Sequence, residues 1–361
     1  MVHIPENLGK EPLLLPASNL KYSEKKKNII GIAGTAKNTG KTTTLNCLLK
    51  EAAQRNLLVA VTGIGFDGEE LDNVTLFPKP RVTVYPNSIV TTSEQCLDIS
   101  TAKVEILHRT GMYTSLGEVL VLRVITIGLI VIAGPSKKNE LQIVIEKMAR
   151  YNVNCIFVDG SLNRISPMSV VNAIIFTTGA SRSTDIEVLS SDMHALEYLF
   201  QLPITSTNLN STTIDIPLLL DGEDIDELKT IFTNEHTTLF VSKMISLTAL
   251  EQLTSLCVNG TIQIRNLIFP DPFALLITEN IFQTYKSISE LIRLNISVTY
   301  QNAPKLCCIT ANPFFPQFRG NEYFSQYIDK KELVNQLQLA CSTPIFNTQE
   351  TESSTIFDSC F

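Results

Sequence analysis

Residues 31–50 read GIAGTAKNTGKTTTLNCLLK, and no other stretch of the chain is as informative. An apolar run ends at Gly34, a loop of small and polar residues follows, and Gly40-Lys41-Thr42 leads into a leucine-containing segment. Loops of this kind bind phosphates, because their backbone N–H groups and the N-terminus of the following helix point at the anion. The stretch therefore predicts a strand, a phosphate-binding loop and a helix, in that order.

The loop supplies the candidate nucleotide-binding residues. The ammonium of Lys41 is expected to reach the β and γ phosphate oxygens, and the Thr42 hydroxyl is expected to take a Mg²⁺ position. Gly40 lets the backbone approach the phosphates closely. The complete candidate set is Gly34, Thr35, Ala36, Lys37, Asn38, Thr39, Gly40, Lys41, Thr42 and Thr43.

The spacing of the loop differs from the plain GxxxxGK[ST] pattern. Counting back from Gly40, the first glycine would fall at position 35, which is a threonine, and Gly34 stands one residue earlier. The loop is therefore a longer variant, Gly-Thr-x4-Gly-Lys-Thr. A glycine-rich turn that caps a helix by chance is the alternative, and the strand before and the helix after the loop disfavour it.

Composition and charge argue against several other classes of protein. The chain of 361 residues has a net charge of −7, so no nucleic acid is expected as a partner. The longest apolar run, 119–133, is interrupted by Arg123 and Thr126 and is too short and too polar to span a bilayer, so no membrane partner is expected. No secretory leader is recognised and the eight cysteines form no CxxC pair, which favours a cytoplasmic protein.

Alternating strands and helices predict an α/β fold, namely a doubly wound, mostly parallel sheet of P-loop NTPase type with a second, smaller α/β domain. We expect strands at 28–33, 57–63, 82–85, 104–107, 120–126, 129–133, 155–158 and 173–177, and helices at 41–55, 92–97, 139–151 and 184–200. Further along, strands are expected at 238–241, 262–268 and 306–310, and helices at 246–257, 280–294 and 330–339.

The local composition of the sequence also predicts how the chain is divided into domains. Residues 1–27 are polar and proline-rich and are expected to form an extended arm. The P-loop nucleotide-binding domain is expected over 28–203 and the C-terminal α/β domain over 214–346, with a Thr-, Asn- and Ser-rich boundary between them. Residues 347–361 are expected to be a loose tail.

Two carboxylates follow predicted strands and are candidates for holding Mg²⁺. Asp159 comes after the apolar strand 155–158 and before a glycine, and capping of the next segment is its alternative role. Asp67 comes after the second strand, where other acidic residues crowd it, so a solvated acidic turn is the alternative there. The candidate catalytic residues are thus Lys41, Asp159 and Asp67, and the candidate metal ligands are Thr42, Asp159 and Asp67.

Two more loops follow predicted strands, at 134–136 and 179–182. Either could touch base, ribose or phosphate, because the carboxyl ends of parallel strands share one edge of a sheet. Arg182 could stabilise the charge of a transferred phosphoryl group. Plain strand-to-helix turns are the alternative for both loops.

The G-T-x4-G-K-T spacing is similar to that of the dethiobiotin synthetase and cobyrinate amidase branch of P-loop proteins, in which this loop binds ATP. Some relatives in that branch carry a second lysine five residues before the motif lysine. That position is Ala36 here, and Lys37 is next to it.

A series of further phrases runs through the chain in a fixed order, over about residues 28–345. They are Gly65-Phe-Asp-Gly-Glu69 with Asp72, Pro78-Lys79-Pro80, Thr91-Thr92, Thr110-Gly111, Gly117-Glu118-Val119, Ala133-Gly134-Pro135-Ser136, Asp159-Gly-Ser161-Leu162-x-Arg164, Thr178-Gly179-Ala180 and Ala311-Asn312-Pro313 followed by Pro316. Together they resemble one narrower family, the P-loop subunit of the lysine 5,6-aminomutase reactivase.

This resemblance implies an ATP-dependent partner of an adenosylcobalamin-dependent aminomutase that acts on lysine or ornithine. Such radical enzymes lose activity when the cobalt–carbon bond breaks without reforming, and a reactivase is expected to use ATP to drive release of damaged cobalamin. A second ATPase subunit of mismatch-repair type is the other implied partner, and ATP and Mg²⁺ are the implied cofactors. Phosphate binding at 34–43 and metal handling at Asp159 and Asp67 are carried over from the family, whereas Phe66 replaces an expected basic residue.

Two other functions stay open on the sequence. One is a stand-alone ligase of dethiobiotin synthetase type, in which ATP activates a carboxylate and basic side chains along the sheet edge bind the substrate. The other is a nucleotide sensor that binds without turnover. The absence of an Asn-Lys-x-Asp guanine motif favours ATP over GTP in each case.

Overall fold

The computed structural model describes residues 28–65, 82–161, 165–205, 213–220, 225, 228–229, 232, 238–278, 280–320 and 322–361. Its strands are β1 Asn28–Gly34, β2 Val59–Gly63, β3 Val82–Val84, β4 Ile89–Ser93, β5 Val104–Thr114, β6 Gly117–Val124, β7 Gly128–Ile130, β8 Cys155–Ser161, β9 Ala173–Gly179, β10 Thr213–Leu219, β11 Thr238–Ile245, β12 Asn266–Phe269, β13 Ser297–Tyr300, β14 Lys305–Asn312, β15 Phe314–Arg319, β16 Glu322–Tyr327 and β17 Ile345–Phe346. Its helices are α1 Lys41–Gln54, α2 Lys138–Ala149, α3 Ile186–Phe200, α4 Leu247–Val258, α5 Phe273–Leu276, α6 Ile281–Arg293, α7 Lys330–Ala340 and α8 Ser353–Asp358.

The described strands form a nine-stranded sheet in the order β17-β14-β9-β1-β8-β2-β4-β6-β5. All pairings from β17 to β4 are parallel, and only the last two, β4 with β6 and β6 with β5, are antiparallel. A mixed α/β architecture with a large, mostly parallel sheet is therefore confirmed.

Strand β1 lies in the interior of the large sheet and is buried on both faces. Ile30 and Ile32 pack into the apolar cluster that contains Leu45 and Leu48 of α1, as the helical spacing of those leucines predicts. Ala33 points the other way, into the cluster that contains α2, α3 and α7. Because successive side chains of a strand alternate between faces, the apolar run before the loop supplies core to both sides of the sheet.

Strand β1 is the point at which the chain changes the side on which it adds strands to the large sheet. From β1 the chain passes to β2, which lies beyond β8 on one side, whereas β9 and β14 lie on the other side of β1. Such a switch point opens a crevice at the carboxyl edge of a parallel sheet, where ligands of doubly wound proteins bind. The loop 35–40 leaves β1 at this edge.

A second sheet has the order β10-β11-β12-β13 and is parallel throughout. These strands follow chain order, so this sheet contains no reversal comparable with the one at β1. Its side chains Leu239 and Leu267 share one apolar cluster with Ile156 and Ile174 of the large sheet. The hydroxyl of the fully buried Tyr300 donates to the Leu199 carbonyl oxygen at 2.9 Å, which joins β13 to α3.

Three segments between residues 92 and 133 differ from the local predictions. Residues 92–97, expected to be helical, are the end of β4 and a short 3₁₀ helix over Glu94–Leu97, because the hydroxyl of Thr92 donates to Val131 O at 2.7 Å. The short strands expected near 104–107 and 120–126 are the arms of a long antiparallel hairpin, β5 and β6. The strand expected at 129–133 is the shorter β7, which pairs with β3 outside the large sheet.

The C-terminal third of the chain is divided differently from the expectation. Strand β14, expected in the C-terminal domain, pairs with β9 in the large sheet, and β17 continues that sheet. Residues 314–327, for which no element was expected, form the antiparallel hairpin β15–β16. Residues 353–358 of the tail expected to be loose form α8, whose Ile356 and Phe357 are buried. The arm expected over 1–27 lies outside the described residues.

The helices of the described part of the chain are all short. None of them combines the length and the apolar character needed to cross a membrane.

Candidate functional site

The loop between β1 and α1 has the backbone of an anion-binding turn. Asn38 has φ 61° and Gly40 has φ 97°, so two residues of the loop lie in the left-handed region. The first helical hydrogen bond runs from Thr44 N to Gly40 O at 2.9 Å. Gly40 is the N-cap and has no side chain to bond the first-turn N–H groups of α1, which remain available to an anion.

Gly34 explains why the loop can close on itself. A Cβ atom at this position would lie 2.6 Å from Thr39 Oγ1 and 3.0 Å from Lys41 Cγ. The stem of Lys41 therefore occupies the space that any side chain at position 34 would need. The Lys41 side chain is half-buried, and its ammonium has no ion-pair partner among the described residues. A cation held in this way at a helix N-terminus favours a bound phosphate.

A network of threonine hydroxyls anchors the loop to the strands beside β1. The backbone N–H of Thr35 donates to Thr177 O at 2.9 Å, and the Thr35 hydroxyl donates to Thr178 Oγ1 at 3.1 Å. The hydroxyls of Thr39 and Thr177 are 2.8 Å apart. The first turn of α1 is tied down as well, because Thr44 Oγ1 lies 2.9 Å from Thr310 Oγ1 of β14. Neither Thr177 nor Thr310 is recognisable as a site residue from local sequence, because both have the pattern of ordinary β-branched strand residues.

Two further side chains hold the apex of the loop. Asn312 Nδ2 donates to the Asn38 carbonyl oxygen at 2.9 Å. Ser181 Oγ lies 3.4 Å from the same oxygen and 3.1 Å from Phe314 O, so these two carbonyl groups share its one proton. Asn312 ends β14, and Ser181 follows β9. The loops after β9 and β14 thus meet the phosphate loop at one sheet edge, as expected for the loop 179–182.

Asp159 lies on the face of the sheet that α1 covers. It is opposite Ile32 of β1 and Gly63 of β2, and it lies two residues after Phe157, on the same face of β8. Phe157 packs in the same cluster as α1. The strand continues to Ser161, so Asp159 is inside β8 rather than just after it as the sequence suggested. The residue is half-buried, and its Oδ1 atom is fully buried, next to the strand that leads into the loop.

The other candidates that the structure describes contact groups away from the loop. Asp67 lies outside the described residues. Arg182 Nε donates to Asp192 Oδ2 at 3.1 Å, and this carboxylate is buried, so the guanidinium is held by α3 rather than directed at the loop. Gly134 packs against β2, where a Cβ atom would lie 2.1 Å from Gly63 O. The loop 134–136 is thus explained by close packing of two backbones.

Two buried cysteines on strands of the large sheet, Cys155 and Cys308, are not suited to nucleophilic chemistry. Burial raises the pKa of Cys155, on β8, to about 12, and burial likewise raises the pKa of Cys308, on β14, to about 12. Thiols with such pKa values are protonated at neutral pH, and the thiolate is the reactive form.

The donor set fits a magnesium–nucleotide complex. The loop and the start of α1 supply backbone N–H groups, the Lys41 ammonium and the Thr42 hydroxyl, and the neighbouring strand β8 supplies the Asp159 carboxylate. Magnesium prefers oxygen ligands and is held by one or two protein groups together with phosphate oxygens.

In comparisons with known proteins, no family model matches the chain, and no curated protein matches it.

Proposed function

We propose that the chain is a P-loop NTPase that binds Mg²⁺ and ATP at residues 34–43 and hydrolyses the terminal phosphate. The observation that carries this proposal is the position of the loop at the switch point of the large sheet, with Lys41 directly after the loop and Asp159 on the face of the sheet that α1 covers. Catalysis of phosphoryl transfer depends on positioning and on charge stabilisation, and these groups are of the kinds that such catalysis requires.

Each residue has a role in this proposal. The loop N–H groups and the Lys41 ammonium bind the phosphate oxygens, and the Gly34 backbone leaves room for the Lys41 stem. Thr42 and Asp159 would hold Mg²⁺, which neutralises charge on the phosphates when it is bound. Asp67 stays a candidate of the sequence analysis for the same task.

The partner that we propose is an adenosylcobalamin-dependent aminomutase, with the chain acting as the ATPase subunit of its reactivase. The ordered phrases of the sequence support this part of the proposal. In such a complex ATP would shift an equilibrium between two conformations of the complex. The size of the shift would be set by the difference in binding free energy of ATP for those two conformations. A second ATPase subunit of mismatch-repair type belongs to the same proposal.

The experiment is Mg²⁺-dependent ATP hydrolysis by the purified chain, with and without an inactivated aminomutase. We expect Lys41→Ala to lower kcat/KM by about 100-fold, because removal of one charge-stabilising group in an active site has effects of that order. Asp159→Asn should raise the Mg²⁺ concentration needed for half-maximal activity. Lys50→Ala, an exposed lysine near the other end of α1, is the matched control and should leave the rate unchanged.

The outcomes separate the two parts of the proposal. A rate that rises with the inactivated mutase, together with recovery of mutase activity on addition of fresh adenosylcobalamin, supports the reactivase. A hydrolysis rate that does not change when the mutase is added contradicts the reactivase function and supports the ATPase activity alone. If the wild-type chain neither binds nor hydrolyses ATP, alone or with the mutase, the proposal is wrong as a whole.

A further inference from the structure

The carbonyl group of Asn38 is the point at which the phosphate loop is held from outside. In an anion-binding turn, left-handed residues direct backbone N–H groups into the concavity, so the carbonyl groups between them point outward and need partners there. Asn38 has φ 61°, and its carbonyl oxygen accepts a hydrogen bond from Asn312 Nδ2 at 2.9 Å. Ser181 Oγ is a weaker donor to the same oxygen at 3.4 Å, because Phe314 O competes for its proton at 3.1 Å. Both donors come from segments that follow other strands of the same sheet.

The orientation of the Asn312 amide is set by its other contacts. Its Oδ1 accepts from Phe314 N at 3.2 Å, so Nδ2 is the atom that faces Asn38. The main chain of Asn312 is held as well, because its carbonyl oxygen accepts from Ala180 N at 2.9 Å. A Cβ atom at Gly40 would lie 3.5 Å from Asn312 Cβ, so this side chain also packs against the end of the loop. Asn312 therefore binds one left-handed residue of the loop, Asn38, and lies beside the other, Gly40.

We propose that Asn312 is a positioning residue for the phosphate loop, with Ser181 in a supporting role. By binding the Asn38 carbonyl oxygen, Asn312 stabilises the left-handed conformation that a non-glycine residue adopts only at a cost. The N–H groups of the loop then remain directed at the phosphates in the free protein. This inference rests on the proposed function, because it names the residue that keeps the nucleotide loop in its binding conformation.

The expected effects follow from the hydrogen bonds that are lost. The near-isosteric variant Asn312→Leu removes the donor, and we expect the dissociation constant for Mg²⁺–ATP to rise about tenfold, the order of one hydrogen bond. Ser181→Ala should raise it by no more than about threefold, because Asn312 still holds the oxygen. KM should rise with little change in kcat, since the variant makes the binding conformation of the loop less populated but removes no group that contacts the transferred phosphoryl group.

The choice of ligands distinguishes positioning of the loop from a direct contact with the base. Dissociation constants are measured for Mg²⁺–ATP and for Mg²⁺ with inorganic tripolyphosphate, by displacement of a fluorescent ATP analogue. Tripolyphosphate has no base, so an equal rise of both dissociation constants in Asn312→Leu supports a role through the loop. A higher dissociation constant for Mg²⁺–ATP alone, with unchanged tripolyphosphate binding, contradicts the inference and indicates that Asn312 contacts the base.

Asn172→Ala is the matched control for loss of stability. Asn172 Oδ1 accepts from Ile29 N at 2.9 Å, an equivalent side-chain bond at the amino end of the same strand β1. This variant should lower the melting temperature and leave both dissociation constants unchanged. If Asn312→Leu does not fold, Asn312→Ala and Ser181→Ala are measured instead. Wild-type affinity in every folded variant at Asn312 overturns the inference, whereas a wild-type chain that binds neither ligand overturns the proposed function.

Discussion

At Gly34 the missing side chain determines the geometry of the candidate site. The space next to its Cα is filled by Thr39 Oγ1, which bonds to both Ala36 O at 3.0 Å and Thr177 Oγ1 at 2.8 Å. A side chain at position 34 would therefore displace a hydroxyl that closes the loop and ties it to β9. The requirement for glycine here comes from close approach, since Gly34 is not among the residues with positive φ.

The first prediction at the residue scale is that Gly34→Ala weakens nucleotide binding. The Cβ atom at 2.6 Å from Thr39 Oγ1 breaks two hydrogen bonds, and the overpacking costs about 1–3 kcal/mol of unfolding free energy. The measurement is urea unfolding together with the dissociation constant for Mg²⁺–ATP.

Gly31→Ala on the same strand is the control for this prediction. Its Cβ atom would lie 2.9 Å from Met168 Sδ, on the opposite face and next to a flexible side chain. It should change stability without changing affinity. Equal affinity of Gly34→Ala and the wild type would show that the loop tolerates the methyl group.

At the scale of elements, the short helix α8 holds the phosphate-loop helix from outside. Ile356 and Phe357 are buried in the cluster that contains Leu45, Leu48 and Leu49 of α1. Polar contacts add to this packing: Arg55 binds Asp358 with two hydrogen bonds of 2.5 and 3.1 Å, and Ser353 Oγ donates to Glu51 Oε2 at 2.8 Å. The hydrogen bond from Arg55 and that from Ser353 lower the pKa of Glu51. The C-terminal residues are thus part of the core.

The prediction for this element is that Ile356→Ala lowers the unfolding free energy by about 2–4 kcal/mol, the usual range for removal of a fully buried isoleucine. Ile356 is 0% exposed, whereas Leu339 in α7 is 82% exposed and provides the control variant Leu339→Ala. The control should change stability by less than about 0.5 kcal/mol. Chemical denaturation measures both, and equal losses would mean that α8 does not pack on α1 in solution.

At the scale of the whole molecule, one buried carboxylate joins α3 to the edge of the large sheet. Glu197 accepts hydrogen bonds from the backbone N–H and hydroxyl groups of Ser342 and Thr343, at 2.6 to 3.1 Å. These two residues precede β17, the outermost strand. Burial raises the pKa of Glu197, but the four hydrogen bonds outweigh it, and the net result is a pKa below the ordinary value.

Glu197 therefore makes stability depend on pH. Since its pKa is lower in the folded than in the unfolded chain, its contribution is fully present above the unfolded value of about 4.3 and is lost as the pH falls through the folded value. We expect Glu197→Gln to cost about 2–4 kcal/mol at pH 7, because an amide presents a donor to groups that are themselves donors. The difference from the wild type should shrink below about pH 4.

Unfolding free energies at neutral and acid pH test this dependence. Glu187→Gln, at an exposed glutamate in the first turn of the same helix, should cost less than about 1 kcal/mol. A difference between Glu197→Gln and the wild type that stays constant down to pH 3 would contradict an ionised Glu197 in the folded chain.

Local sequence alone specifies those parts of the molecule whose signals lie within about twenty residues. The glycine and lysine spacing of the loop and the leucine spacing of α1 predicted β1, the turn and the helix within a residue or two of their bounds. The same local signals missed the hairpin β15–β16 and the buried helix α8. Polar, aromatic-rich strands and a single helical turn with two buried residues have no distinctive period.

Only the tertiary structure decides which strands lie beside β1, and thereby which side chains hold the loop. Thr177 is 138 residues from Thr39, and Thr310 is 266 residues from Thr44, yet each pair shares a hydrogen bond. Strands pair through backbone groups that every residue except proline carries, so no local pattern encodes the order β14-β9-β1-β8. That order follows from how the helices cover both faces of the sheet, which is a property of the folded chain as a whole.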